Sequence, residues 1–352
     1  MYMKYNVIWL LCLVGCLAGC QTGKRHAEAA YVQVPQMMEI STDTVLFDSL
    51  LASDPFIVAD KQKQIYLLVS SGGEMWKSAD LRKWTGPSAF LKVDTASWIG
   101  PDPWIWAPEI HPYNGRYYCF VTFTNPEMVV DTVPNRYKVL RRAVQILESD
   151  VPEGPYLPVT RQDYFPEDWS TLDGTLWIED GKPYMVFEHG WMQIVDGQID
   201  CIPLSPDLTT AAGEPHTLFQ ASDASWSKDM REIGELTFGM MLDGYVADGP
   251  FLFRTGTDRL GMLWSSWGVT RNALGVAYSE TGKLAGPWRQ QPVPLVGYNC
   301  GHGMLFTTFE GKTLLVLHHQ GLDTVNPGPR RPKLFEVDLS GDELKITGEY
   351  HP

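Results

Sequence analysis

The chain predicts an all-β fold, a five-bladed β-propeller, on three observations. A short opening unit recurs five times, each copy is followed by a hairpin signal, and a polar landmark closes each segment. The opening units are Asp54-Pro55-Phe56-Ile57-Val58, Ala107-Pro108-Glu109-Ile110-His111, Asp173-Gly174-Thr175-Leu176-Trp177, Asp248-Gly249-Pro250-Phe251-Leu252-Phe253 and Gly301-His302-Gly303-Met304-Leu305-Phe306. Their starts lie 53, 66, 75 and 53 residues apart, which suits blades of four short strands with outer loops of varying length. A β-sandwich also uses many short strands, but it does not repeat one order of landmarks five times.

Each opening unit is a turn that leads into a hydrophobic strand. A polar turn follows: Lys63-Gln64, Asn114-Gly115, Asp180-Gly181-Lys182, Asp258-Arg259 and Glu310-Gly311-Lys312, each ahead of a second apolar run. Asn-Gly and Asp-Gly between such runs favour tight hairpins because both central residues tolerate positive φ. The third strand ends at Ser78-Ala79-Asp80-Leu81, Ser149-Asp150, Ser205-Pro206-Asp207-Leu208, Ser279-Glu280 and Leu339-Ser340-Gly341-Asp342. The stretch from Met37 to Leu51 precedes the first unit and is expected to supply an outer strand that closes the ring.

The N-terminus reads differently. Met1 to Gly19 carries Lys4, the apolar run Val7 to Val14, and then Leu17-Ala18-Gly19-Cys20. The run is too short for a spanning helix and reads as a signal peptide. Its last four residues resemble a bacterial lipobox, which implies a lipid on Cys20, membrane anchoring and an exported, outer-membrane lipoprotein. The expected division is signal peptide 1–19, tether 20–40 and catalytic propeller 41–352. Cys12 and Cys16 leave with the signal, so Cys119, Cys201 and Cys300 remain and read as small buried hydrophobes.

Composition narrows the ligand. Hydrophobic residues make up 44% and aromatic residues 12%, enough for a large core, and 42 acidic against 28 basic side chains give a net charge of −14. That charge disfavours nucleic acid and anionic glycans, and leaves a neutral partner. A monomer is expected.

If the repeat is radial, Asp54, Asp173 and Asp248 occupy one repeat position and converge at one end of the axis. Asp-Pro and Asp-Gly taken singly are ordinary turn formers. Three together supply what glycoside hydrolysis needs: a carboxylate base, a carboxylic acid, and a third carboxyl that raises the pKa of the acid and orients it. In inverting enzymes base and acid stand ~6.5–9.5 Å apart to admit a water.

Several segments together resemble glycoside hydrolase family 43. They are Asp54-Pro55-Phe56-Ile57, Trp106-Ala107-Pro108-Glu109-Ile110-His111, Asp173-Gly174-Thr175 with Glu179-Asp180-Gly181-Lys182-Pro183-Tyr184, Gly301-His302-Gly303, Glu153-Gly154-Pro155-Tyr156 and Gly286-Pro287-Trp288. The resemblance runs in order from about Asp48 to the C-terminus. It implies a five-bladed propeller acting by inversion on arabinose-, xylose- or galactose-containing glycans, with Asp54 as general base and Asp173 as modulator of the acid. The family usually has Glu before the Gly-Pro of the fourth blade, where this chain has Asp248, shorter by about 1.5 Å. Asp248 is taken as the acid, with Glu188, Glu232 and Glu235 as alternative donors outside the family position.

Other residues are weighed against plainer roles. Trp106 is the first candidate sugar platform, followed by Trp191, Trp104 and Trp267, although most tryptophans of a propeller pack between blades. Glu109 is a candidate sugar contact whose Trp-Ala-Pro-Glu setting suits a structural hydrogen bond better than catalysis. Arg331 is expected to reach a sugar hydroxyl or a catalytic carboxylate. No cofactor is required. A calcium or sodium ion at the axis would meet His302 through water, since hard cations prefer oxygen. The expected activity is exo-acting, inverting removal of terminal α-L-arabinofuranosyl groups from polysaccharide side chains. β-D-Galactofuranosidase and β-xylosidase are alternatives, and a glycan-binding lipoprotein without catalysis is the reading from another class.

Overall fold

In the computed structural model the described residues are 44–133, 137–232, 242–269, 271–321 and 328–352, with the short strand Val32–Gln33. The signal, the lipobox and nearly all of the tether lie outside them, as does Glu235. Among the described residues, no helix is long and apolar enough to cross a membrane.

The fold is the predicted five-bladed propeller. Blade 1 runs outward through Phe56–Asp60, Ile65–Ser70, Glu74–Ser78 and Lys83–Ala89. Blade 2 uses Trp104–Tyr113, Arg116–Val133, Tyr137–Ser149 and Leu157–Pro158. Blade 3 uses Thr171–Glu179, Lys182–His189, Gln198–Pro203 and His216–Gln220. Blade 4 uses Asp248–Arg254, Leu260–Gly268, Arg271–Ser279 and Trp288–Gln290. Blade 5 uses Cys300–Thr307, Thr313–His319, Arg331–Asp338 and Lys345–Glu349. Every sheet is antiparallel, and the five first strands touch one another in a closed cycle around the axis.

The apolar faces of neighbouring blades form the core, with Trp84, Trp264, Phe120, Phe123 and Phe187 fully buried. Cys119, Cys201 and Cys300 are free and buried. The outer turns hold themselves: Asp80 Oδ1 accepts the backbone N–H groups of Arg82 and Lys83, and Trp84 Nε1 donates to Leu81 O at 2.6 Å.

The ring closes differently from expectation. Thr44–Leu46 does form an outer strand, but it pairs with Lys83–Ala89 and extends blade 1. Blade 5 is built wholly from C-terminal strands. The two ends meet through side chains and loops: Ala52 N donates to Arg330 O, Phe309 N to Tyr66 Oη, and Phe309 stacks on Tyr66 at 4.0 Å.

At the head of each first strand one residue adopts a left-handed backbone. These are Asp54 (φ 55°), Ala107 (39°), Asp173 (52°), Gly249 (52°) and His302 (52°). In blades 2 to 5 a β-bulge follows, so the strand turns its opening residue toward the axis. This corrects one expectation. Asp248 is not the equivalent of Asp54 and Asp173; Gly249 holds that position, and Asp248 stands one residue earlier, matching Ser53, Trp106, Leu172 and Gly301 in the register.

Candidate active site

The left-handed residues are locked by neighbouring blades. Ser71 Oγ accepts the Ala107 N–H at 2.8 Å, Thr122 Oγ1 that of Asp173 at 2.9 Å, and Ser265 Oγ that of His302 at 2.8 Å. The N–H of Asp54 faces His318 Nδ1 at 3.2 Å, and that of Gly249 reaches Asp173 Oδ2 at 3.3 Å. Each of the four side chains that meet these N–H groups from a neighbouring blade, Ser71, Thr122, Ser265 and His318, hangs from a second strand or the residue after it. The site is thus fixed by backbone hydrogen bonds that cross blade boundaries.

His302 occupies the centre. Its Nδ1 lies 3.5 Å from Asp248 Oδ1, 3.6 Å from Asp54 Oδ1 and 3.8 Å from Asp173 Oδ2. By the triangle inequality the oxygens of Asp54 and Asp248 are at most about 7.1 Å apart, a bound that admits the separation of an inverting pair. Burial works against a charge on this imidazole, but Asp54, Asp248 and Asp173 outweigh it and push its pKa up to about 10. The three carboxyls thus favour the imidazolium form, while Nδ1 closes a hydrogen bond with none of them.

Burial alone would also raise the Asp54 pKa. His302, a hydrogen bond with His318, and Arg330 reverse that and hold it far below the ordinary carboxylate range. Ser71 Oγ donates to Asp54 Oδ2 at 2.5 Å, His318 Nδ1 lies 3.0 Å from Oδ1, and Arg330 Nη1 lies 3.4 Å from the same oxygen. Burial and Arg330 keep His318 neutral, with its pKa pushed down to about 4. These contacts favour the ionised form of the Asp54 carboxyl.

Asp173 and Asp248 behave as a pair. Burial, the hydrogen bond with Asp248 and its charge drive Asp173 well above the ordinary range. In Asp248 burial is outweighed by Asp173 and by the His302 ring 3.5 Å away, which pull it down to about 2. Two adjacent carboxyls cannot both ionise cheaply, so they share a proton. In the free site it rests on Asp173, whose side chain is 6% exposed, while that of Asp248 is 29% exposed and better solvated.

A cleft of about 520 Å³ opens beside Asp54, walled by Leu51, Trp104, Trp106 and Arg330. Trp106 meets Trp104 edge-on at 6.3 Å, and the Arg142 guanidinium sits 5.2 Å above its ring. Trp191 and Trp267 are not among the residues that wall this cleft; with Tyr137 they pack against Met230, Leu242 and Val246. Glu109 is buried, and its Oε2 lies 2.9 Å from His111 Nε2 on its own strand, away from the cleft lining. Arg331 differs from expectation: its Nη1 donates to the carbonyls of Asp48 and Leu50, and its neighbour Arg330 is the residue that reaches Asp54. Sequence reasoning did not pick out Arg330, His318 as a partner of the base, Ser71 or Arg142.

Among the described residues, the donors near the axis within reach of one cation are Asp173, Asp248 and His302. Calcium takes six to eight oxygen ligands, whereas this set offers two carboxylates and an imidazole, a poor ligand for hard cations. By itself it does not fit a directly coordinated calcium ion.

Gly249 is constrained twice, by its positive φ and by His302. A Cβ there would stand 2.8 Å from His302 Nδ1. Gly249→Ala is therefore expected to displace the imidazolium, to destabilise by about 1–3 kcal/mol, and to cut turnover more than its effect on folding explains. Thermal melting measured beside kcat tests this, and wild-type turnover in the variant would refute it.

The family description "Glycosyl hydrolases family 43" matches residues 48–343. A search of curated protein sequences found no match. Among solved structures, an endo-arabinase from Bacteroides thetaiotaomicron is 32% identical with a TM-score of 0.71, covering 83% of this chain and 96% of that one. An endo-1,4-β-xylanase from the same organism (21%, 0.65, covering 88% and 97%) and an α-L-arabinofuranosidase from Lactobacillus brevis (17%, 0.62, covering 88% and 99%) share the fold.

Proposed function

The chain belongs to glycosyl hydrolases family 43, and from that premise we propose an exo-acting, inverting hydrolase that removes terminal α-L-arabinofuranosyl groups from neutral polysaccharide side chains. Hydrolysis of glycans by this family needs no cofactor. The observation that carries the mechanism is the convergence of three carboxyls within 3.8 Å of His302 Nδ1; their surroundings favour an ionised Asp54 and a proton shared by Asp173 and Asp248.

Asp54 takes a proton from a water as that water attacks the anomeric carbon. Asp248, the more exposed of the proton-sharing pair, gives its proton to the departing oxygen on the other side of the sugar. A bound sugar strips solvent from Asp248, disfavours its charge and draws the shared proton onto it from Asp173. The imidazolium of His302 stays charged throughout and faces all three carboxyls. A calcium or sodium ion at the axis belongs to this reading only at one remove from His302, through water, because hard cations prefer oxygen to imidazole.

Arabinose is supported by the 32% identity to an endo-arabinase. Exo action is supported by the hairpin of blade 2. Its strands Arg116–Val133 and Tyr137–Ser149 are far longer than their counterparts, and Tyr137 joins Trp191 and Trp267 against Met230, Leu242 and Val246. The same relative favours a second reading, endo-cleavage of arabinan. Sequence features support the remaining proposals: export as a lipoprotein anchored through Cys20 at the outer membrane, acting as a monomer.

The test has two parts. Aryl α-L-arabinofuranoside, β-D-galactofuranoside and β-D-xyloside are offered first, with the arabinofuranoside expected to turn over fastest. Branched arabinan follows, and the first product is expected to be free arabinose with little loss of viscosity. A ladder of oligosaccharides from the outset would select the endo reading. Binding without turnover of any substrate would select a glycan-binding lipoprotein.

A further inference from the structure

The second strands carry a ring of matching residues, Ser71, Thr122, Glu188, Ser265 and His318, lying 15 to 17 residues after the left-handed position of each blade. Their register is the same: Trp106 faces Thr122, Leu172 faces Glu188, Asp248 faces Ser265 and Gly301 faces His318, while Ser71 N bonds Ser53 O. Ser71, Thr122, Ser265 and His318 each reach the left-handed residue of the next blade. Glu188 is thereby aimed at the corner made by Asp248 and Gly249. It is the one carboxyl in the ring, it is only 3% exposed, and the Gly249 N–H it could have accepted goes to Asp173 instead.

The groups facing Glu188 come from every neighbouring element. Arg142 approaches from the third strand of blade 2, Asp173 from the first strand of blade 3, Asp248 from blade 4 and His302 from blade 5, with the Trp191 N–H as a backbone donor. Arg142 is itself fixed, its Nε donating to Thr124 Oγ1 at 2.7 Å while its guanidinium stacks over Trp106. The site therefore holds four carboxyls, Asp54, Asp173, Asp248 and Glu188, against three cations, His302, Arg142 and Arg330. It is neutral only when one proton rests on a carboxyl.

We propose that Glu188 is a positioning residue of the proton-donating side, which shares that proton with Asp173 and Asp248 and so sets the pH at which Asp248 ceases to be a donor. Only O–H bonds are exchanged: when Asp248 yields its proton to the leaving oxygen, the set is recharged by one proton from solvent, matching the one Asp54 returns. Burial and the Asp248 charge raise the Glu188 pKa against the pull of Arg142, as sharing requires. The inference rests on the inverting-hydrolase reading above.

The sign follows from like charges. An ionised Glu188 raises the proton affinity of Asp173 and Asp248, and removing its charge lowers it. Glu188→Gln keeps the shape, and Glu188→Ser installs the residue found at this position in blades 1 and 4. In both, the basic limb of kcat/KM against pH is expected to move about one unit toward acid, with the acidic limb unmoved. A folded Gln variant whose basic limb coincides with wild type overturns the proposal; should the Gln variant not fold, an unmoved basic limb in the Ser variant overturns it equally. Difference infrared spectra of the protonated carboxyl stretch provide a readout independent of turnover. If wild type hydrolyses nothing yet the pH midpoint of that band shifts in the variants, the hydrolase reading fails and the proton sharing stands. An unshifted band refutes the sharing.

Discussion

Asp54→Asn is expected to lower kcat by on the order of 10²–10⁴ for every glycoside the enzyme accepts, whatever its leaving group. The attacking water is activated on the base side, so the loss should be the same for a nitrophenyl and a sugar leaving group. Two features make the effect large. The ionised carboxylate is favoured, because His302, His318 and Arg330 overcome its burial. It is also fixed in place by Ser71 at 2.5 Å. An amide there neither takes a proton nor balances His302 and Arg330, which then face each other across the site. Parallel kinetics on aryl and oligosaccharide substrates check this. A loss below about tenfold, or one confined to poor leaving groups, would place the base elsewhere.

Much of this site was legible in the chain, because the features that build it are local. The five opening units, the Asn-Gly and Asp-Gly hairpins and the Ser-Xaa-Asp corners are short-range turn chemistry, and each stands where its sequence put it. Asp54 and Asp173 were found because a left-handed opening residue leaves a mark: a turn former followed by a strand. The same mark misled at Asp248, where Asp-Gly-Pro looks like Asp-Pro and Asp-Gly, yet the glycine takes the left-handed position and the aspartate steps back by one. A one-residue slip is invisible to motif reading because side-chain direction depends on which residue bulges. Arg330 and Arg331 show the same limit. Adjacent residues on an extended segment point to opposite sides, and only the packing of blade 5 on blade 1 decides that Arg330 meets Asp54 while Arg331 ties down the Asp48 and Leu50 carbonyls. His318 could have been found by aligning second strands, since it falls in the ring of Ser71, Thr122, Glu188 and Ser265. Its effect on the base could not, because it acts across a blade boundary between residues 264 positions apart.

Asp248→Asn separates donor from bystander. The aspartate stands one residue ahead of the left-handed position, 3.5 Å from the imidazolium of His302, and hydrogen-bonds its proton partner Asp173. Being the better-solvated member of the pair, it is the one a bound sugar can change most, because covering it removes the water that favours its charge. With a sugar leaving group, which departs only if protonated, the amide is expected to cost on the order of 10²–10⁴ in kcat. With nitrophenol, a stable anion, the loss should stay within about tenfold, so the ratio of the two losses reports proton donation itself. Asp248→Glu is expected to fall between Asn and wild type on sugar leaving groups. It restores a donor, but its extra ~1.5 Å carries the carboxyl past His302 and weakens the contact with Asp173 that supplies the proton. Equal losses on both substrates with Asn would mean that Asp248 holds the site together without giving up a proton, and the donor would then have to be sought at another carboxyl.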